Sequence, residues 1–494
     1  MHSARLWIPA VAALSACYGA PAYREPAVHI SPAYGVAVGS QVRLAAQPSV
    51  APTTGTVSPA ASAASSARYV AAAAGVPFWR AIGDSTLGEL VTEALRASPS
   101  TQSAEARLMG ARASRRLAAF DFVPTITASG SAIRSQQSIA QIPGLANQLP
   151  SRDLYDVGFD ANWELDVFGR VQRNVSAQDA LVASTEHGLE DVQVSLAAEV
   201  ARTYFELRGA ERQLAVARRN AQNQERTVSL TQDRLAAGRG TAFDTERARS
   251  VLQLTRAGIP SIESQIAAHR HRLATLLGRT ADTLPPAVYA AAELPPLPDT
   301  VNVGSPQQLV RRRPDVLRAE RQLAATALLV GAAQADYLPR LTLGASVGYA
   351  STRFQSLTSG GSSRILVGPV LSFPLLDVGR VRQRVGIAEA RQDEARVEYT
   401  ATVLQALEEA ETALVTYDRA HARVAILTDA VRSSTRAADL AQQRFEAGLT
   451  DFFQVLDAQR TVLDAETQLA AAHTAAATSL VAVYKSVGGT WPMR

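Results

Sequence analysis

The chain has 494 residues, 47% of them hydrophobic, and a formal net charge of +4 in which arginines are interleaved with Glu and Asp. Interleaving of that kind, with Lys485 as the sole lysine, argues against a nucleic-acid-binding protein. A single cysteine, Cys17, excludes an intrachain disulfide and a cysteine-rich metal site, and the length leaves the fold to be decided by pattern.

Residues 1–16 read as a signal peptide, with Arg5 in a short leading region, an apolar run from Leu6 to Leu14 and small residues before the cleavage point. The tetrad Leu14-Ser15-Ala16-Cys17 resembles a bacterial lipobox, so Cys17 is expected to carry a covalent diacylglycerol and an N-acyl lipid. Tyr18 follows it, not the Asp that retains many lipoproteins in the inner membrane, which directs the chain to the outer membrane. Residues 17–77, rich in Ala, Pro, Ser, Gly and Val without periodicity, are expected to form the lipidated N-terminus and a flexible tether. Beyond the signal there is no apolar run of about 20 residues, so any membrane crossing falls to strands.

From Phe78 onward the sequence repeats itself, as residues 78–300 and 301–494. Asp121-Phe122-Val123-Pro124 parallels Asp336-Tyr337-Leu338-Pro339, Leu165-Asp166-Val167 parallels Leu376-Asp377-Val378, and Arg234 to Gly238 parallels Arg444 to Gly448. Each half reads as a helix, a β-hairpin (121–168 and 336–377) and a helical hairpin (170–278 and 380–488), with a linker closing the first. Val157, Phe159, Ala161, Trp163 and Leu165 alternate with polar residues and glycine, as do Leu341, Leu343, Ala345, Val347 and Tyr349. Arg170 to Ala237 and Arg380 to Ala447 contain no proline, and each spans on the order of 100 Å as a helix at about 1.5 Å per residue. Gly238 and Gly448 stop them, placing the hairpin tips at 238–242 and 448–452. Asp166 and Asp377 are expected to cap at the passage from strand to helix, with Gly169 and Gly379 relieving the bend.

Four amphipathic strands cannot close a barrel, since bacterial barrels begin at about eight. Edges left open to lipid would cost several kcal/mol per unpaired backbone group. Three copies would give twelve strands around a polar lumen; two would close at eight, with an interior filled by side chains.

Several segments carry a family resemblance in order: the lipobox ending in Cys17, Phe78-Trp79-Arg80 with Asp84 and Leu87, Arg311-Arg312-Arg313-Pro314-Asp315, Ala332 to Pro339, Phe445-Glu446-Ala447-Gly448, and Leu456-Asp457-Ala458-Gln459-Arg460. Over 78–490 the chain resembles the TolC-type outer-membrane factors, in their OprM and NodT-like lipoprotein branch, of resistance-nodulation-division efflux systems. The resemblance implies an α+β membrane protein: a trimeric 12-stranded β-barrel, four strands per chain, continuous with a long periplasmic α-helical barrel and carrying an internal two-fold repeat. It implies a passive exit duct in the outer membrane for small molecules such as drugs, with no enzymatic activity and no cofactor beyond the lipid on Cys17. The implied partners are two further copies, a periplasmic adaptor, an inner-membrane pump of the resistance-nodulation-division class and outer-membrane lipid, with no nucleic acid. At the matching tip, Gly448-Leu449-Thr450-Asp451-Phe452, the resemblance makes Asp451 the gate carboxylate and Leu449 or Phe452 an apolar constriction beside it. Asp451 is equally suited to be a helix N-cap, and the two roles are compatible. The other tip, Gly238-Arg239-Gly240-Thr241-Ala242, lacks an acid there and is expected to pack around the tube and meet the adaptor. The three arginines before Pro314 are expected on a solvated surface rather than at a phosphate site.

An outer-membrane component of a type I secretion system would share the architecture, whereas a non-conducting coiled-coil scaffold would leave the recurring strands unexplained. An enzyme finds no support: His269 and His271 point to different sides of a helix, and HExxH, Walker and GxSxG signatures do not appear.

Overall fold

The computed structural model describes residues 30–31, 34, 68–70, 78–136, 138, 150–290, 292–297 and 300–489. Cys17, the signal segment 1–16, most of the 17–77 stretch and, within the first β-hairpin, residues 137 and 139–149 lie outside the described residues. In chain order the elements are β1 (Arg68–Val70), α1 (Phe78–Ala81), α2 (Ser85–Ala97), α3 (Pro99–Ala119), β2 (Thr125–Ser135), β3 (Arg152–Leu165), α4 (Arg170–Ala236) and α5 (Ala242–Leu276). There follow α6 (Pro286–Tyr289), β4 (Thr300–Asn302), α7 (Pro306–Val310), α8 (Pro314–Gln334), β5 (Arg340–Ser351), β6 (Ser363–Ser372), α9 (Val378–Glu446) and α10 (Phe452–Ser486).

The four hairpin helices end in one way. Gly238, Gly278, Gly448 and Gly488 have φ of 69°, 67°, 72° and 82°. At each, the glycine N–H and the next N–H fold back onto carbonyls of the last turn, as in Arg239 N to Arg234 O at 2.8 Å and Leu449 N to Arg444 O at 2.8 Å. Two of these stops are also points of close approach. A Cβ on Gly278 would lie 2.8 Å from the Ala97 carbonyl and 3.2 Å from Pro99, and one on Gly488 would lie 3.2 Å from Arg313 Cα. Ala97 to Pro99 in the first half, and Arg312 and Arg313 in the second, thus receive the end of the returning helix.

The described chain forms two compact units. The first comprises Arg107–Glu186 and Arg318–Thr400. Its sheet has the order β2-β3-β5-β6 with every neighbouring pair antiparallel, so the two hairpins join through β3 and β5. One cross-strand row reads Ala128, Phe159, Val347, Ile365, and the next reads Thr127, Asp160, Ser346, Leu366. Because side chains alternate, the rows lie on opposite faces, one apolar throughout and one mainly polar. Ion pairs Arg112–Glu186 and Arg115–Asp179, at 2.7 and 2.8 Å, tie α3 to α4, and the Ser184 hydroxyl donates to the Arg318 carbonyl at 3.0 Å.

The second unit comprises Val28–Ala106, His187–Leu317 and Ala401–Arg494. Its core gathers Leu87, Leu90, Tyr204, Phe205, Leu277 and Leu480, all 1% exposed or less. Asp84 caps α2 by accepting from Leu87 N at 3.0 Å, while its other oxygen accepts from the Tyr204 hydroxyl at 2.6 Å. Burial, and then this carboxylate partner, pushes the Tyr204 phenol up to about 12. Arg208 is wholly buried and donates to Glu211, Ala290 O and Ala287 O at 2.8, 2.7 and 2.9 Å, fastening the segment around α6 to α4.

Several expectations need correction. Part of the 17–77 stretch is ordered: β1 pairs in parallel with β4, and Tyr34 packs on the core of the second unit. Arg311 and Arg312 are solvated as expected, but Arg313 is buried. It grips Asp315 with Nε and Nη2 at 3.0 and 2.7 Å and donates to Glu409 at 2.8 Å and to Ser486 O at 3.0 Å. Asp166 accepts from Val171 N and Gln172 N at 3.0 and 2.7 Å, and Gly169 takes φ 72°, as expected. Gly379, by contrast, is an ordinary helical residue, because one residue fewer at this junction starts α9 at Val378.

Candidate functional site

The polar face of the sheet borders an open, concave cavity of about 1020 Å³ whose lining includes Thr127, Asp160, Asn162, Glu164, Thr342 and Ser346. Two of its acids are held by arginines. Glu164 is held by Arg170 in a two-pronged grip at 2.8 and 2.7 Å. Arg364 grips Asp156 through Nε and Nη2, both at 2.8 Å, and donates to Ser346 at 2.6 Å. Asp160 accepts from the Ser129 hydroxyl at 2.8 Å.

The opposite face is apolar and open. Ile126, Phe159, Ile365 and Val367 are 58 to 76% exposed. Tyr155 on β3 and Tyr349 on β5, diagonal to one another across the pair, stand toward one end of this face. Trp163 stands toward the other, its indole N–H donating to the Phe122 carbonyl at 2.9 Å. The nine residues from Tyr155 to Trp163, eight steps of strand, span about 27 Å along β3.

At the second tip Asp451 is the N-cap of α10, its carboxylate accepting from Gln454 N at 3.2 Å. The carboxylate remains exposed, and Leu449 is 71% exposed. Phe452 is 4% exposed and packs on Phe445 with ring centroids 5.4 Å apart, inside a core to which both hairpins contribute. Of the apolar pair expected at this turn, Leu449 is therefore the one the tip presents. The first tip is capped by Thr241, which accepts from Asp244 N at 3.2 Å. Arg234 lies 4.0 Å over the Phe445 ring and Arg247 lies 4.6 Å over Phe453, so cation–π contacts join the two hairpins near their tips. The sequence marked neither arginine, since pairing across hairpins leaves no local signal; nor did it mark Arg364, whose partner is 208 residues away. His269 lies 3.6 Å from Glu206, and among the described residues no group of three His, Cys, Asp or Glu is placed to hold a metal.

A family profile described as "Outer membrane efflux protein" matches residues 90–279 and 305–489. The chain is 32% identical over 417 residues to outer membrane protein OprJ of Pseudomonas aeruginosa, covering 84% of this chain and 86% of that one. It is 26% identical over 415 residues to the probable outer membrane lipoprotein SilC of Salmonella typhimurium, covering 83% and 87%. Among solved structures it is similar to the outer-membrane channel OprN, with a TM-score of 0.81, 36% identity and coverage of 89% of this chain and 99% of that one.

Proposed function

The chain belongs to the outer membrane efflux protein family and is an outer-membrane efflux channel without enzymatic activity; from that premise we propose that three copies close into one passive exit duct. The observation that carries this reading is the sheet itself. It has an apolar face with no partner in the described chain, and its edge strands β2 and β6 each lack a neighbour on one side. In hydrocarbon such edges are not tolerated, so β6 of one copy pairs with β2 of the next until the ring closes at twelve strands. The apolar face then meets lipid, and the nine residues from Tyr155 to Trp163 fall within the about 9–11 that a tilted transmembrane strand needs, with aromatic girdles at Tyr155, Tyr349 and Trp163. The polar face becomes the lumen, where water hydrates a passing solute. The helical hairpins of three copies form the periplasmic tube.

Residues 1–16 serve as signal peptide, Cys17 carries the lipid anchor, 17–77 links anchor to body, and 78–300 and 301–494 are the two repeats. The name of SilC supports the anchor. The duct works with a periplasmic adaptor and an inner-membrane pump of the resistance-nodulation-division class, which supplies the energy and chooses among small-molecule substrates. Its closed end is the second tip. There the three-fold axis collects three Asp451 carboxylates with Leu449 beside them, and repulsion among the acids favours cations and biases the ring toward opening. The test is planar-bilayer conductance of the acylated trimer against Asp451→Ala. A small cation-preferring current that grows or loses its preference in the variant supports the reading. An unchanged current moves the gate elsewhere, and no current from a verified folded trimer overturns the duct.

A further inference from the structure

Three charged side chains lie together midway along the polar face: Asp156 and Asp160 on β3, and Arg364 on β6, two strands away. Arg364 reaches Asp156 because the residues between them are glycines. One cross-strand row reads Ser129, Gly158, Gly348, Arg364. Gly158 and Gly348 approach so closely that a Cβ on Gly158 would lie 2.7 Å from the Val347 carbonyl oxygen, and one on Gly348 would collide with that of Val157. No side chain stands in this row between Ser129 and Arg364. The guanidinium crosses β5 over that bare backbone, with Nε and Nη2 committed to Asp156 and Nη1 to Ser346.

Asp160 accepts from the Ser129 hydroxyl at 2.8 Å, and Ser346 stands opposite it on β5. The neighbouring acid on this face, Glu164, is neutralised by Arg170. The triad therefore keeps one net negative charge, with paired or uncharged residues beside it along β3. We infer that, in the assembled duct, Asp160 sets a second ion-selectivity ring inside the β-barrel, separate from the periplasmic tip, through which cationic solutes pass preferentially. The inference rests on the trimeric reading above, because only there does the concave face become a lumen carrying three such charges at one level. Fixed charge at that level raises local cation concentration over about one Debye length, roughly 10 Å at 0.1 M salt and 3 Å at 1 M.

The arithmetic of the triad gives an ordered test. Reversal potentials across a KCl gradient are measured for trimers in planar bilayers, all in an Asp451→Ala background so that the tip acid does not mask the barrel. Arg364→Gln leaves two negative charges per copy and raises the cation-to-anion permeability ratio. Asp160→Asn, whose amide still accepts from Ser129, leaves none and brings the ratio to about one. Asp156→Asn combined with Asp160→Asn leaves a lone Arg364 and drives the ratio below one, toward anions. Each shift shrinks in 1 M salt. Heat-resistant oligomer on gels verifies folding of each variant, and Asp160→Asn, the mildest change, decides the matter if Arg364→Gln does not assemble. Conducting trimers whose ratio ignores this series overturn the barrel ring and leave the duct standing; absence of current from every folded trimer overturns the duct itself.

Discussion

Phe159 and Asn162 lie three residues apart on β3, and their side chains stand on opposite faces of the sheet. Phe159 is four residues from Tyr155 and four from Trp163, so it sits about 13 Å from either aromatic end, at the middle of the proposed apolar band. It is 58% exposed, so replacing it removes little packing within the chain. An arginine placed at the midplane of a barrel's lipid face costs about 2–4 kcal/mol, a factor of roughly 30 to 700 in the folding equilibrium of each copy. Asn162→Arg puts the same charge on the concave face, beside water and within reach of acids, where that penalty does not arise. The assay is urea unfolding of protein folded into phospholipid vesicles, followed by tryptophan fluorescence, to which Trp163 contributes. Phe159→Arg should shift the midpoint to markedly lower urea and Asn162→Arg should leave it nearly in place. Equal losses, or a larger loss for Asn162→Arg, would refute the assignment of faces.

Two further outcomes follow from the second unit. Gly238 and Gly278 share a positive φ, but a Cβ meets nothing within 4 Å at Gly238 and lies 2.8 Å from the Ala97 carbonyl at Gly278. Gly238→Ala should therefore cost about 1–2 kcal/mol, the left-handed penalty alone, and Gly278→Ala clearly more, read as the thermal midpoint of helical circular dichroism. Burial, and then the positive charge of Arg212, lowers the pKa of His473 below its ordinary 6.5. Its cavity also holds His421, and the folded state resists the proton that the unfolded chain accepts. Stability should therefore fall as pH drops below about 6.5, by at most ~1.4 kcal/mol per pH unit for this group, until the lowered folded pKa is reached. Equilibrium unfolding between pH 7.5 and about 5 checks this, and His473→Gln should flatten that part of the profile.

What was legible in the sequence was whatever short-range chemistry dictates. Glycine at a helix stop, alternation along β3 and β5, and the repeat of Asp-aromatic-Val/Leu-Pro at the head of each hairpin placed the helical hairpins and all four strands of the large sheet close to where they lie. Asp451 as a cap was legible for the same reason, since capping is settled within four residues. Illegible were the pairings made across the fold. Arg313 belongs to a run of three arginines, and only the arrival of Ser486 and Glu409 separates it from its solvated neighbours. Arg364 finds Asp156 through a glycine pair whose register is set by β3 meeting β5. Phe452 stands in a turn expected to offer an apolar constriction, yet its ring packs onto Phe445. β1, three residues long, is too short to show an alternation at all.

The central claim is that β6 of one copy meets β2 of the next and that the ring closes at three. Cysteines scanned along outward positions of the two edges, such as Ile126→Cys with Leu371→Cys, are oxidised in membranes and the products sized under denaturing conditions. The account predicts covalent species that stop at three chains when both cysteines are present and none when either is alone. A ladder running past three chains, a product that stops at two, or no cross-link at any pair of positions along β2 and β6 would contradict it.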